Sequence, residues 1–61
     1  MTDLELISRY NALVEHDHTP AIERLDGDTW SIWDDQEGDV TMTTQEAAYQ
    51  AREALKDWGE L

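Results

Sequence analysis

The chain predicts an α+β fold: a small three-stranded antiparallel sheet flanked by an N-terminal and a C-terminal helix, in the order α-β-β-β-α. Three observations carry this. Apolar residues recur at helical spacing near both ends, each of these runs opens on a capping box, and the middle alternates with a period of two between turn signals. The 61 residues make a single domain, 1–61, near the lower limit of what folds unaided.

The first helix begins after Thr2. Thr2 and Glu5 have capping-box spacing, with Met1 and Leu6 at the two staple positions. Leu6, Ile7, Tyr10, Leu13 and Val14 then form one apolar stripe, and Glu5 and Arg9 make an i,i+4 pair on the wet side. The helix is expected to stop between Glu15 and Asp17, where His16-Asp17-His18-Thr19-Pro20 is turn chemistry ending in a breaker. A short strand is expected over Ala21 to Leu25, followed by the hairpin signal Asp26-Gly27. Thr29 to Asp34 forms the second strand, with Trp30 and Ile32 on one face and Ser31 and Trp33 on the other. The turn Asp35-Gln36-Glu37-Gly38 leads to a third strand in which Val40 and Met42 share a face. Thr43 and Glu46 form a second capping box. Ala48, Ala51, Leu55 and Trp58 lie along a single face of the last helix, and Gly59 ends it.

Composition narrows the class. A high net charge pulls towards disorder, but 39% hydrophobic residues, three Trp and two Tyr in periodic runs favour a folded, marginally stable domain. There is no cysteine to staple it, which suits a reducing cytoplasm. No apolar run approaches the roughly 20 residues of a membrane span. The start, Met-Thr-Asp-Leu-Glu, is acidic where a signal peptide is basic. A soluble cytoplasmic protein is expected, a monomer or weak homodimer.

Charge is the strongest functional signal. The chain carries 15 acidic residues against four basic ones, a net charge of −11. Between Arg24 and Arg52 there is no cation, but there are seven carboxylates: Asp26, Asp28, Asp34, Asp35, Glu37, Asp39 and Glu46. Such a block repels nucleic acid and attracts basic protein grooves. The block reads as a partner surface, since its single-sign density works against the compact state, or as a solvated face that serves solubility or adaptation to high salt. Asp26, Asp28, Asp34, Asp35, Glu37 and Asp39 flank the two turns and are the candidate partner-binding residues. Trp33 has two readings: an interface anchor among Ser31, Asp34 and Asp35, or a core residue beneath the first helix. A chain with so small a core favours the second.

Catalytic and metal chemistry find little support. No cysteine nucleophile and no Ser-His-Asp arrangement is present, and a domain this small can hardly enclose a water-poor pocket that tunes a carboxylate. His16 and His18 lack a second group of ligands elsewhere in the chain. Asp35, Glu37, Asp39 and Glu46 have calcium-loop spacing, but Val40 stands where that loop requires glycine. No cofactor, no metal and no direct nucleic-acid contact are expected, because the basic footprint is absent.

The stretch Gly27 to Leu55, with Trp30, Ile32, Gly38, Thr43, Glu46-Ala47 and Ala51-Arg52, resembles small sheet-plus-helix modules such as the arm-site-binding domains of phage integrases. The resemblance implies the strand-turn-strand-helix layout. Those domains enter a DNA groove with basic strands, whereas these strands carry Asp and Glu, so a different partner is implied. In size, charge and lack of catalytic residues the chain also resembles small acidic phage-encoded inhibitors: anti-CRISPR and anti-restriction proteins and inhibitors of uracil-DNA glycosylase. That resemblance implies a non-enzymatic DNA mimic that blocks a nucleic-acid-binding site on a host defence protein, foremost a Cas effector subunit, inside the host cell. The alternatives are an acidic adaptor or antitoxin-like module, and a small halophilic domain without an inhibitory role.

Overall fold

The computed structural model describes all 61 residues. Its order is α1 (Asp3–Val14), β1 (Glu23–Asp26), β2 (Thr29–Asp34), β3 (Gly38–Thr43) and α2 (Thr44–Asp57), the predicted α-β-β-β-α arrangement. The strands form an antiparallel meander, β1-β2-β3. β2 and β3 pair without interruption from Thr29↔Thr43 to Asp34↔Gly38. β1 starts two residues later than the sequence suggests and is shorter, with a register shift between Arg24 and Asp26. Ile22 is withheld from the ladder because α1 claims its backbone. The Asn11 side chain accepts from the Ile22 N–H and donates to its carbonyl, both at 2.9 Å.

Both helices lie on the same face of the sheet. α1 packs against α2, and α2 packs against β2 and β3. The two helices run in the same direction. Asp3 and Leu6 share a cleft with Gln45 and Ala48, while Tyr10 stacks on Trp58 with ring centres 5.6 Å apart. The core gathers Leu6, Ile7, Tyr10 and Val14 from α1, Ile22, Trp30 from β2, and Ala47, Ala48, Ala51 and Leu55 from α2. Ile32 and Met42 pack against it from the sheet. α2 touches both α1 and the sheet, so its buried arc is wider than one row of side chains and takes in Ala47, which lies outside the predicted face. Trp30 is oriented by its indole N–H, which donates to the Thr44 hydroxyl at 2.7 Å.

The helix ends follow the sequence closely. Thr2/Glu5 and Thr43/Glu46 both form complete capping boxes. Gly59, at φ +73°, closes α2 with paired bonds from Glu60 N–H to Leu55 and from Gly59 N–H to Lys56. This is the Schellman arrangement that only glycine adopts without strain.

Three expectations are corrected. Glu5 is held by its capping box, so Arg9 pairs with Glu60 instead, at 3.2 Å. Leu13 is exposed although Tyr10 and Val14 beside it in the stripe are buried, and it borders an open cleft with Trp58 and Glu60. Met1, at the outer staple position, is exposed but lines one cleft with the buried Leu6. Trp58 is the C-cap of α2 and 46% exposed, a lid on Tyr10 rather than a core residue.

Candidate partner-binding surface

In a three-stranded meander the two turns lie at opposite ends of the central strand. That geometry divides the acidic block. Asp26 and Asp28 flank the β1–β2 turn, while Asp34, Asp35, Glu37 and Asp39 surround the β2–β3 turn. With about 3.3 Å per residue along β2, the two groups stand on the order of 20 Å apart. They are two patches, one at each of the two turns that the sequence places them beside. Glu46, at the N-terminus of α2, belongs to the first end.

The first patch is largely occupied with local structure. The Asp28 carboxylate accepts from the Thr44 N–H at 3.2 Å and so caps the start of α2. The Thr44 hydroxyl and then its backbone N–H hold Asp28 below the ordinary carboxylate range. Asp26 turns back onto the Gly27 N–H at 2.7 Å. Glu46 is spent on its capping box, as is Glu5, whose carboxyl the Thr2 backbone and hydroxyl hold below its usual value.

The second patch is freer. Asp34 accepts from the Gln36 and Glu37 N–H groups at 2.8 and 3.1 Å, which fixes the turn. Gly38, at φ +78°, supplies the left-handed residue that lets the chain return. Asp35, Glu37 and Asp39 are exposed and engaged by no side chain or backbone donor. The two ion pairs of the molecule, Arg9–Glu60 and Lys56–Glu53, neutralise none of the carboxylates between Arg24 and Arg52.

Trp33 stands beside this patch, paired across the ladder with Asp39. It is 54% exposed, so the expectation of a core position beneath α1 is overturned. The reason is architectural: α1 joins α2 on the other side of the sheet and leaves this face bare. The indole rests over Gly38, its Cζ3 atom 3.8 Å from where a Cβ there would sit. Glu23, Thr29, Thr41 and Thr43 share the bare face by register, and Ser31 at its centre is buried by its neighbours alone.

Elsewhere the chemistry is sparse. His16 and His18 lie in the turn after α1, and no three ligating side chains converge. The four residues with calcium-loop spacing are separated, since Glu46 caps α2 at the end opposite Asp35 and Glu37. A cleft of about 550 Å3 opens between the N-termini of both helices and the β1–β2 turn. It is lined by Arg24, Asp28 and Thr44 among others, without a nucleophile beside a free base. No helix is long and apolar enough to cross a membrane. No protein-family model, curated protein or solved structure matches the chain.

Proposed function

We propose that this domain is a non-enzymatic inhibitor that offers an acidic, DNA-like surface to a basic nucleic-acid-binding site of a host defence protein, a Cas effector foremost. It would act in the cytoplasm of the cell where that protein works. One observation carries the reading: Asp35, Glu37 and Asp39 are exposed, unpaired and clustered around a turn held by the Asp34 carboxylate, next to an exposed tryptophan. Unpaired anions held on a rigid body supply the electrostatics that steer a cationic groove, without the ordering cost of a flexible tail. Asp26, Asp28 and Asp34 add to the field while serving turns and a cap.

The second reading, an acidic adaptor bound chiefly through apolar contacts, is favoured by the exposure of Trp33 and Leu25. Salt separates the two. A mimic weakens steeply as salt rises and competes with DNA, whereas an apolar contact weakens little.

The test is displacement of DNA from basic effectors by the wild type and by a variant reversed at Asp35→Lys, Glu37→Lys and Asp39→Lys. Asp34 is left alone because its turn depends on it. The wild type should displace DNA and the variant should not. Equal potency of the two would remove this patch from the mechanism.

A further inference from the structure

The uncovered face of the sheet is a binding surface in its own right, and its composition points to one kind of occupant. Paired residues share a face, so Glu23, Ser31 and Thr41 lie in one row across the sheet, Trp33 and Asp39 in the next, and Thr29 with Thr43 on the other side. Leu25 and Asp26 oppose Thr29 at the β1 bulge, and Leu25 is 58% exposed. The face therefore presents two large apolar side chains, a band of small hydroxyls, and three carboxylates: Glu23, Asp26 and Asp39. It carries no cation. Arg24 alternates to the helix side and donates to the Gly27 carbonyl, and the other three basic residues are on the helices.

We propose that this face seats an arginine-bearing segment of a basic protein, with one guanidinium lying flat on Trp33 and reaching Asp39. Side chains directly opposite on an antiparallel pair stand about 5 Å apart, within the roughly 6 Å over which a ring attracts a cation. One planar guanidinium can then satisfy both groups, whereas an ammonium offers a point charge without the stack. The ring lies over Gly38, on a turn whose backbone Asp34 holds. A second copy of this chain is a poor occupant, since it brings a further −11 of charge to a face with no cation. This inference rests on the reading above for the partner's basic character and adds to it the seat, the residue type and its selectivity.

The experiment is a titration of the 15N-labelled full chain at physiological salt. The probe is a short peptide of alternating arginine and threonine, set against its lysine counterpart of equal charge. Resonances of Ser31, Thr41 and the Trp33 indole should move together, and the arginine peptide should bind several-fold more tightly. Trp33→Ala should lower its affinity by about five-fold with no change in net charge, and Trp33→Phe should restore part of the loss. An unmoved Trp30 indole resonance reports that the variant is folded. Equal affinity for both peptides with Trp33→Ala unaffected would overturn the proposal, because the peptide would then sense charge alone. Trp33 shifting with protein concentration in the absence of peptide would overturn it too, in favour of self-association. The two readings fail separately. Arginine selectivity without DNA displacement from any effector removes the inhibitor and leaves the seat; displacement that survives Trp33→Ala, with selectivity lost, does the reverse.

Discussion

Asn11 is the residue on which the join between helix and sheet depends. Its amide mimics a peptide group, closing two 2.9 Å bonds to Ile22 and so holding the chain as it enters β1. Asn11→Ala leaves a part-buried N–H and carbonyl without partners, at about 1–3 kcal/mol each. Against a total stability of roughly 3–9 kcal/mol for a domain of this length, urea denaturation should show a large drop in midpoint. Asn11 was not visible as a functional position in the sequence, where an Asn in a helical stripe has no distinguishing pattern. Only the tertiary return of the chain gives it partners. Asp28 is the second such residue. Its carboxyl is depressed in the folded state, so its stabilising contribution is fully present above the ordinary carboxylate range and lost as pH falls through the folded value. The difference in melting temperature between wild type and Asp28→Asn should therefore be largest near neutrality and shrink towards pH 3. A constant difference would show that the charge is irrelevant there. Tyr10 moves the other way, its phenol raised by burial while it donates to the Pro20 carbonyl at 3.1 Å.

At the scale of elements, the helix boundaries were legible because caps are local. Each needs only a side chain and a backbone N–H a few residues away, and both boxes formed as read. What the periodicity of α2 misassigned was its last residue. Trp58 sits three residues after Leu55 on the same face, but the helix ends there and the indole falls outside the sheet, onto Tyr10. The two positions should separate in mutagenesis. Leu55→Ala empties a fully buried site at about 2–5 kcal/mol and should leave little folded protein. Trp58→Ala uncovers Tyr10 and should cost less, and thermal melts of the two variants compare them directly. Truncation after Ala54 removes Leu55 together with the Gly59 stop, and circular dichroism should show an unfolded chain. The strands were legible apart from the start of β1, but which side of the sheet receives α1 was not. Alternation assigns Trp33 to the face opposite Trp30 without saying whether anything covers it.

For the molecule as a whole, the net charge of −11 is distributed over two turns and the helices, with only two ion pairs to offset it. Self-repulsion of this kind is screened by salt, since the Debye length falls from about 30 Å at 0.01 M to about 8 Å at 0.15 M. The melting temperature should rise over that interval and then level off. A continued rise into molar salt, with unfolding below it, would favour the halophilic alternative. The triple reversal at Asp35, Glu37 and Asp39 moves the net charge from −11 to −5, as each change adds two, and should stabilise the fold while abolishing partner binding. The acidic block was legible in the sequence as a quantity. Its division between the two turns was legible too, but which carboxylates are tied up was not, because the bond from the Thr44 N–H to Asp28 spans sixteen residues.

The outer edge of β3 has a further consequence. It runs unpaired for six residues with no proline, lysine or bulge, beside a bare face bearing Trp33. Edges of this kind recruit other strands unless something forbids it, and here the guard is mutual repulsion between molecules. That guard vanishes near the isoelectric point of about 4.1. Turbid, thioflavin-positive assemblies should therefore appear on acidification and stay absent at neutral pH, the outcome expected where acidic side chains hold copies of one chain apart.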